Sequence, residues 1–115
     1  MKTIMITVAI FVIALMMPST AKLEIPECIQ NMIDSMYGTP GGSPYISIDS
    51  YVYRGKLTYL ATSGCCDRMN PLFDDECNRI CAPSGGFVGI GDRKCKDFGE
   101  TAKLLGNIWV APLRK

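Results

Sequence analysis

Apolar residues recur at Ile25, Cys28, Ile29, Met32, Ile33 and Met36, the three-and-four spacing that turns one face of a helix towards a core. Pro26 suits the first helical turn, Glu27 complements the positive helix start and Gly38 suits the end, so the pattern predicts an amphipathic helix of about three turns. The methionines on that face read as core filling. Residues 39–44, Thr-Pro-Gly-Gly-Ser-Pro, are all types that interrupt regular structure and predict a loop.

The period then changes to two. Ile46, Ile48, Ser50 and Val52 alternate with Tyr45, Ser47, Asp49, Tyr51 and Tyr53, and Leu57, Tyr59 and Ala61 alternate across 56–62. With Arg54-Gly55 as the turn, the two runs predict a β-hairpin. A shorter hairpin is expected across 71–82, with Leu72-Phe73 and Arg79-Ile80-Cys81 as arms and Asp74-Asp75-Glu76 as the connection. Four glycines within 85–91 predict a loop, residues 100–105 a short helix, and Ile108-Trp109-Val110 a last strand before Pro112. The expected fold class is α+β: one N-terminal amphipathic helix packed on a small antiparallel sheet of hairpins, stabilised by disulfides.

The first 21 residues stand apart. Lys2 precedes an apolar run over 4–17, broken only by Thr7, and Ser19-x-Ala21 offers the small residues of a cleavage site. This is the pattern of a secretory signal peptide. A membrane span needs roughly 20 apolar residues, and this run stops at Pro18. The expected product is therefore a single disulfide-stabilised domain over 22–115, secreted and extracellular, with no membrane attachment after cleavage.

All six cysteines, Cys28, Cys65, Cys66, Cys77, Cys81 and Cys95, fall in that domain. An even set in an oxidising compartment predicts three disulfides, with the pairing left open. A core of this size is thin, and such bridges supply typically ~2–4 kcal/mol each. Cys65 and Cys66 are neighbours, and bridging neighbours strains the intervening peptide, so each is expected to reach a different partner.

Charge and chemistry then narrow the function. The chain has 12 Lys and Arg against 11 Asp and Glu; without Lys2 the domain carries 11 of each and is neutral. Nothing steers it to nucleic acid or to anionic membrane. It contains no histidine, which excludes Ser-His-Asp and Cys-His nucleophile systems and imidazole metal sites. Cys65-Cys66 and Cys77-x-x-x-Cys81 lack the paired spacing of a zinc ribbon. The expectation is a non-enzymatic protein with no cofactor and no resident metal.

Three features stay open as contact or ligand surfaces. Gly85, Gly86, Phe87, Gly89, Gly91 and Asp92 form a glycine-rich loop flanked by Cys81 and Cys95. The glycine order does not match a dinucleotide fingerprint, and Asp92 stands where a P-loop would need lysine. Its glycines are expected to serve positive φ angles. Phe87, Val88 and Ile90 are either tucked into the core or exposed as an apolar contact; the core is the favoured expectation, because a secreted domain rarely leaves three such side chains in one patch. The acidic run Asp74, Asp75 and Glu76, with Asp67 and Asp92, offers oxygen ligands for calcium but lacks the alternating pattern of a calcium loop, so a solvated hairpin tip is expected. Tyr51, Tyr53 and Tyr59 could meet a partner or simply pair across strands.

One ordered series of motifs resembles a known family. Tyr51-x-Tyr53-x-Gly55-Lys56-x-x-Tyr59 is followed by Cys65-Cys66-Asp67. Then come Ile80-Cys81-Ala82-Pro83-x-Gly85-Gly86-x-x-Gly89-x-Gly91-Asp92-x-x-Cys95-x-Asp97-Phe98. Together with Pro26-Glu27-Cys28-Ile29 and Ile108-Trp109, these are similar to small secreted or lipoprotein-borne bacterial domains classed only as a domain of unknown function. Cys77, and the lack of a lipidation cysteine after the leader, depart from that family. The resemblance implies a fold and no catalytic residues.

The expected role is a structural or extracellular-matrix-associated component, with an unknown extracellular protein or matrix as partner. The alternative is a secreted effector, such as an inhibitor of extracellular hydrolases or a defence protein. Defence by membrane attack would need a basic surface, which the composition does not provide.

Overall fold

A computed structural model describes residues 24–36 and 43–112. The expected leader over 1–21 and most of the expected loop over 39–44 lie outside the described residues. Helix α1 spans Glu27–Met36, with Glu27 in its first turn and Ile29, Ile33 and Met36 buried. The strands are β1 (Tyr45–Tyr53), β2 (Lys56–Ser63), β3 (Met69–Phe73), β4 (Arg79–Gly85) and β5 (Lys103–Val110), and helix α2 is a single turn at Phe98–Thr101.

The sheet dominates. Its order is β4-β3-β2-β1-β5, with every neighbouring pair antiparallel. Among the described residues the architecture is a small five-stranded antiparallel sheet with disulfides and a ten-residue helix, and it is mostly sheet. Strands β1 to β4 form a meander, and the chain then crosses from one sheet edge to the other before β5. The glycine loop and α2 lie on that crossover.

The β1–β2 hairpin has the register that alternation demands, with Ile48 opposite Ala61, Ser50 opposite Tyr59 and Tyr53 opposite Lys56. Its two-residue turn places both Arg54 (φ 51°) and Gly55 (φ 75°) in the left-handed region, the twist that suits a tight hairpin. Alternation then divides the core between two faces. One face gathers Ile48, Tyr59 and Ala61 with Ile29, Ile33 and Met36. The other gathers Tyr53, Leu72, Cys81, Cys95 and Phe98, with Tyr51 and Leu60 at its margin. Phe98 meets Tyr51 and Tyr53 edge-on, at centroid distances of 5.0 and 5.2 Å.

Two expected elements move. Residues 103–105 are strand, not helix: α2 ends at Thr101 and β5 runs the whole way from Lys103 to Val110. The cause is pairing with β1, from Val52 opposite Lys103 to Ser47 opposite Val110, which outweighs the local helical tendency of Lys-Leu-Leu. Register shifts in this pair break the strict alternation of β5. One consequence is that the neighbours Ile108 and Trp109 both pack against the first core cluster.

Cysteine pairing brings the second correction. Cys28 bonds Cys77 across 49 positions, Cys81 bonds Cys95 across 14, and Cys65 bonds its neighbour Cys66. The last pair was expected to separate. In the fold, α1 and the β3–β4 turn bring Cys28 and Cys77 to a Cα distance of 6.0 Å, and the crossover brings Cys95 to 6.1 Å from Cys81. With those four committed, Cys65 and Cys66 have only each other, in an exposed turn where Cys66 takes φ 71°. On loop-closure entropy the bridges differ: about 4 kcal/mol for Cys28–Cys77, about 3 kcal/mol for Cys81–Cys95, and far less for a bond that closes almost no chain.

Candidate functional site

The chemistry of the candidate loop begins at its base. The buried Cys81–Cys95 bridge closes residues 82–94. Within that ring the Asp92 carboxylate accepts hydrogen bonds from the backbone N–H of Ala82 and of Lys94, both at 3.0 Å, while the Asp92 N–H donates to the Ala82 carbonyl at 2.9 Å. The Lys94 N–H, with that of Ala82, holds the Asp92 carboxyl below the usual carboxylate range, against a smaller upward push from desolvation. Asp92 is thus a staple inside the loop, not a ligand offered outwards.

Glycine is obligatory at two places here. A Cβ on Gly91 (φ 72°) would overlap the Ala82 carbonyl oxygen, and one on Gly85 (φ 84°) would lie 2.6 Å from the Arg68 carbonyl oxygen. Close backbone approach on the left-handed side leaves no other residue. The Gly86 N–H donates to that Arg68 oxygen at 3.1 Å, and the Gly91 N–H to the Gly85 oxygen at 3.0 Å. Below them, Asn70 accepts from the Ser63 N–H (2.8 Å) and donates to Ser84 Oγ (3.0 Å), joining the ends of β2, β3 and β4 where Pro71 has no N–H to give.

This bracing carries an apolar tip. Phe87 is 88% exposed, Val88 70% and Ile90 49%. The favoured expectation that they fill the core is therefore wrong. The reason is geometric: the second core cluster is already closed by Leu72, Cys81, Cys95 and Phe98, and the hydrogen bonds of 86–91 run among backbone groups at the strand end, lifting the side chains clear. Met69, 39% exposed, lies beside Gly86 at the base of this loop.

The other sequence candidates separate from this loop. Asp74, Asp75 and Glu76 sit in the β3–β4 turn, at the opposite end of the sheet. Asp74 accepts from the N–H groups of Glu76 (2.9 Å) and Asn78 (2.8 Å) and from Asn78 Nδ2 (3.1 Å). Desolvation pushes its carboxyl upwards, but these bonds, helped by Lys56, outweigh it and leave the group below its ordinary range. With Lys56 and Leu57 the three acidic residues line an open cleft of about 390 Å³. Among the described residues no group of three or more Cys, Asp or Glu side chains is arranged to hold a metal ion.

Of the tyrosines, Tyr53 and Tyr59 are 2% exposed and Tyr51 is half-buried, so they are not a free contact surface. Burial raises the Tyr53 phenol above its ordinary value, reinforced by a 2.5 Å hydrogen bond to Asp97 Oδ1. That same hydrogen bond lowers Asp97. Sequence reasoning missed this pair, because the two residues lie 44 positions apart and no local pattern links them.

These residues define a disulfide-braced antiparallel-sheet domain that presents one apolar loop. The chain belongs to the family described as domain of unknown function DUF6970, whose model matches residues 34–111. The match takes in the loop and five of the six cysteines; Cys28 precedes it. No curated protein and no solved structure matches the chain. Three disulfides in a domain of this size are typical of extracellular proteins.

Proposed function

We propose that the protein is a secreted, non-enzymatic binding domain whose loop tip, Phe87, Val88 and Ile90, enters an apolar depression on an extracellular protein. The observation that carries this reading is the exposure of those three side chains on a loop braced at its base. Anchoring the loop beforehand lowers the ordering cost of association, and an aromatic anchor supplies most of the contact energy. The lack of histidine and the internal use of the Asp74 and Asp92 carboxylates support a role without catalysis.

Two roles use such a contact. Attachment to an extracellular matrix is supported by the neutral charge of 22–115 and by the disulfide density. Inhibition of a secreted hydrolase is supported by the protruding loop, which suits entry into a cleft. A photo-crosslinking amino acid at position 87 tests the shared premise. One cross-linked partner is expected, competed by unmodified protein but not by a Phe87→Ala, Val88→Ser variant. Cross-linking that both compete equally would discard the loop as the contact. A partner in the insoluble extracellular fraction favours attachment; stoichiometric inhibition of a secreted protease or glycosidase favours the effector role.

A further inference from the structure

The Cys65–Cys66 bond has no structural task comparable to the other two. Cys28–Cys77 fastens α1 to the β3–β4 turn, and Cys81–Cys95 closes the loop through the second core cluster. Cys65–Cys66 joins residues already joined by a peptide bond, so it removes almost no freedom from the unfolded chain. Neither residue belongs to a core cluster, and both are exposed, whereas Cys81 and Cys95 are 2% and 3% exposed. Cys66 is held at φ 71°, a region that residues with a Cβ rarely occupy. Opening the bond would disturb no side chain of either core cluster.

We infer that Cys65–Cys66 is a thiol–disulfide exchange site, reducible in the folded protein by an external dithiol. The thiolate of that dithiol attacks one of the two sulfurs, forming a mixed disulfide and releasing the other cysteine as a thiolate that takes up a proton. The second thiol of the reductant loses its proton and attacks the mixed disulfide, freeing the first cysteine. The products are the Cys65, Cys66 dithiol and the disulfide of the reductant, with two electrons transferred. Exposure gives the incoming sulfur its access, and exposed disulfides are the labile ones. The turn also borders the apolar loop, since the Arg68 carbonyl accepts from the Gly86 N–H.

The experiment is graded reduction of the folded full-length secreted protein with dithiothreitol, quenched by an alkylating reagent and mapped by peptide mass. Cys65 and Cys66 are expected to be labelled together at least about tenfold faster than the other four, with the circular-dichroism spectrum unchanged. A Cys65→Ser, Cys66→Ser variant should lose this fast two-electron step and keep the wild-type melting temperature. Labelling of all six cysteines in one step with unfolding would overturn the inference, as would earlier labelling of Cys28 and Cys77. Full labelling of Cys65 and Cys66 without reductant would overturn it too.

Discussion

The Cα of Gly91 lies so close to the carbonyl of Ala82 that any side chain at position 91 would overlap the carbonyl oxygen. The same Ala82 accepts from the Asp92 N–H and donates its own N–H to the Asp92 carboxylate. Two hydrogen bonds and one close backbone approach thus meet at one residue, one position after a buried cysteine. Gly91→Ala is expected to cost at least about 2 kcal/mol, from backbone displacement and a strained positive φ. A chemical-denaturation midpoint measures this. An unchanged midpoint would mean that the loop does not close on Ala82.

Phe87 and Leu72 should respond in opposite ways to truncation. Leu72 is fully buried in the second core cluster, so Leu72→Ala is expected to lose about 2–5 kcal/mol. Phe87 is the larger side chain but is 88% exposed, so Phe87→Ala should stay within about 0.5 kcal/mol of wild type. Melting curves of the two variants decide it. A Phe87→Ala variant as damaged as Leu72→Ala would place Phe87 in the core after all.

The two long-range bridges should rank by the chain each encloses. Replacing Cys28 and Cys77 by Ser is expected to destabilise by about 4 kcal/mol, and replacing Cys81 and Cys95 by about 3 kcal/mol plus any packing lost around these buried sulfurs. Unfolding midpoints under non-reducing conditions give the order. Cys28→Ser, Cys77→Ser should also release α1, read as lost helical signal.

Acid and alkali should both act on the Tyr53–Asp97 pair. The Asp97 carboxyl is lowered chiefly by the Tyr53 hydroxyl, so the unfolded state binds its proton more readily. Its contribution is present above the unfolded carboxylate value, about 3.9, and is lost as pH falls through the lower folded value. Tyr53 is raised chiefly by burial and then by Asp97, so its contribution is present below about 10 and is lost as pH rises through the higher folded value. Asp97→Asn should move the Tyr53 titration downwards, read by phenolate absorbance. No movement would separate the two residues.

Local patterns carried far for the hairpins. Period-two alternation over 45–62 and the Arg54-Gly55 turn produce β1 and β2 almost to the residue, because a two-residue turn with both φ angles positive fixes the register. Residues 103–105 misled, since Lys-Leu-Leu suits a helix locally and only the free edge of β1 makes it strand. The Tyr53–Asp97 pair had no local signal at all.

What the sequence alone determined is the β1–β2 hairpin and the covalent resources: six cysteines, no histidine and a glycine-rich loop. Each depends on neighbours along the chain, where sterics and periodicity act. The tertiary structure decided which cysteines meet, that β5 joins the far edge of the sheet, and that Phe87, Val88 and Ile90 face outwards. Those outcomes depend on which surfaces are already covered when distant segments come together. An apolar side chain carries the same hydrophobic preference in either setting, and only the filled core behind it leaves it exposed.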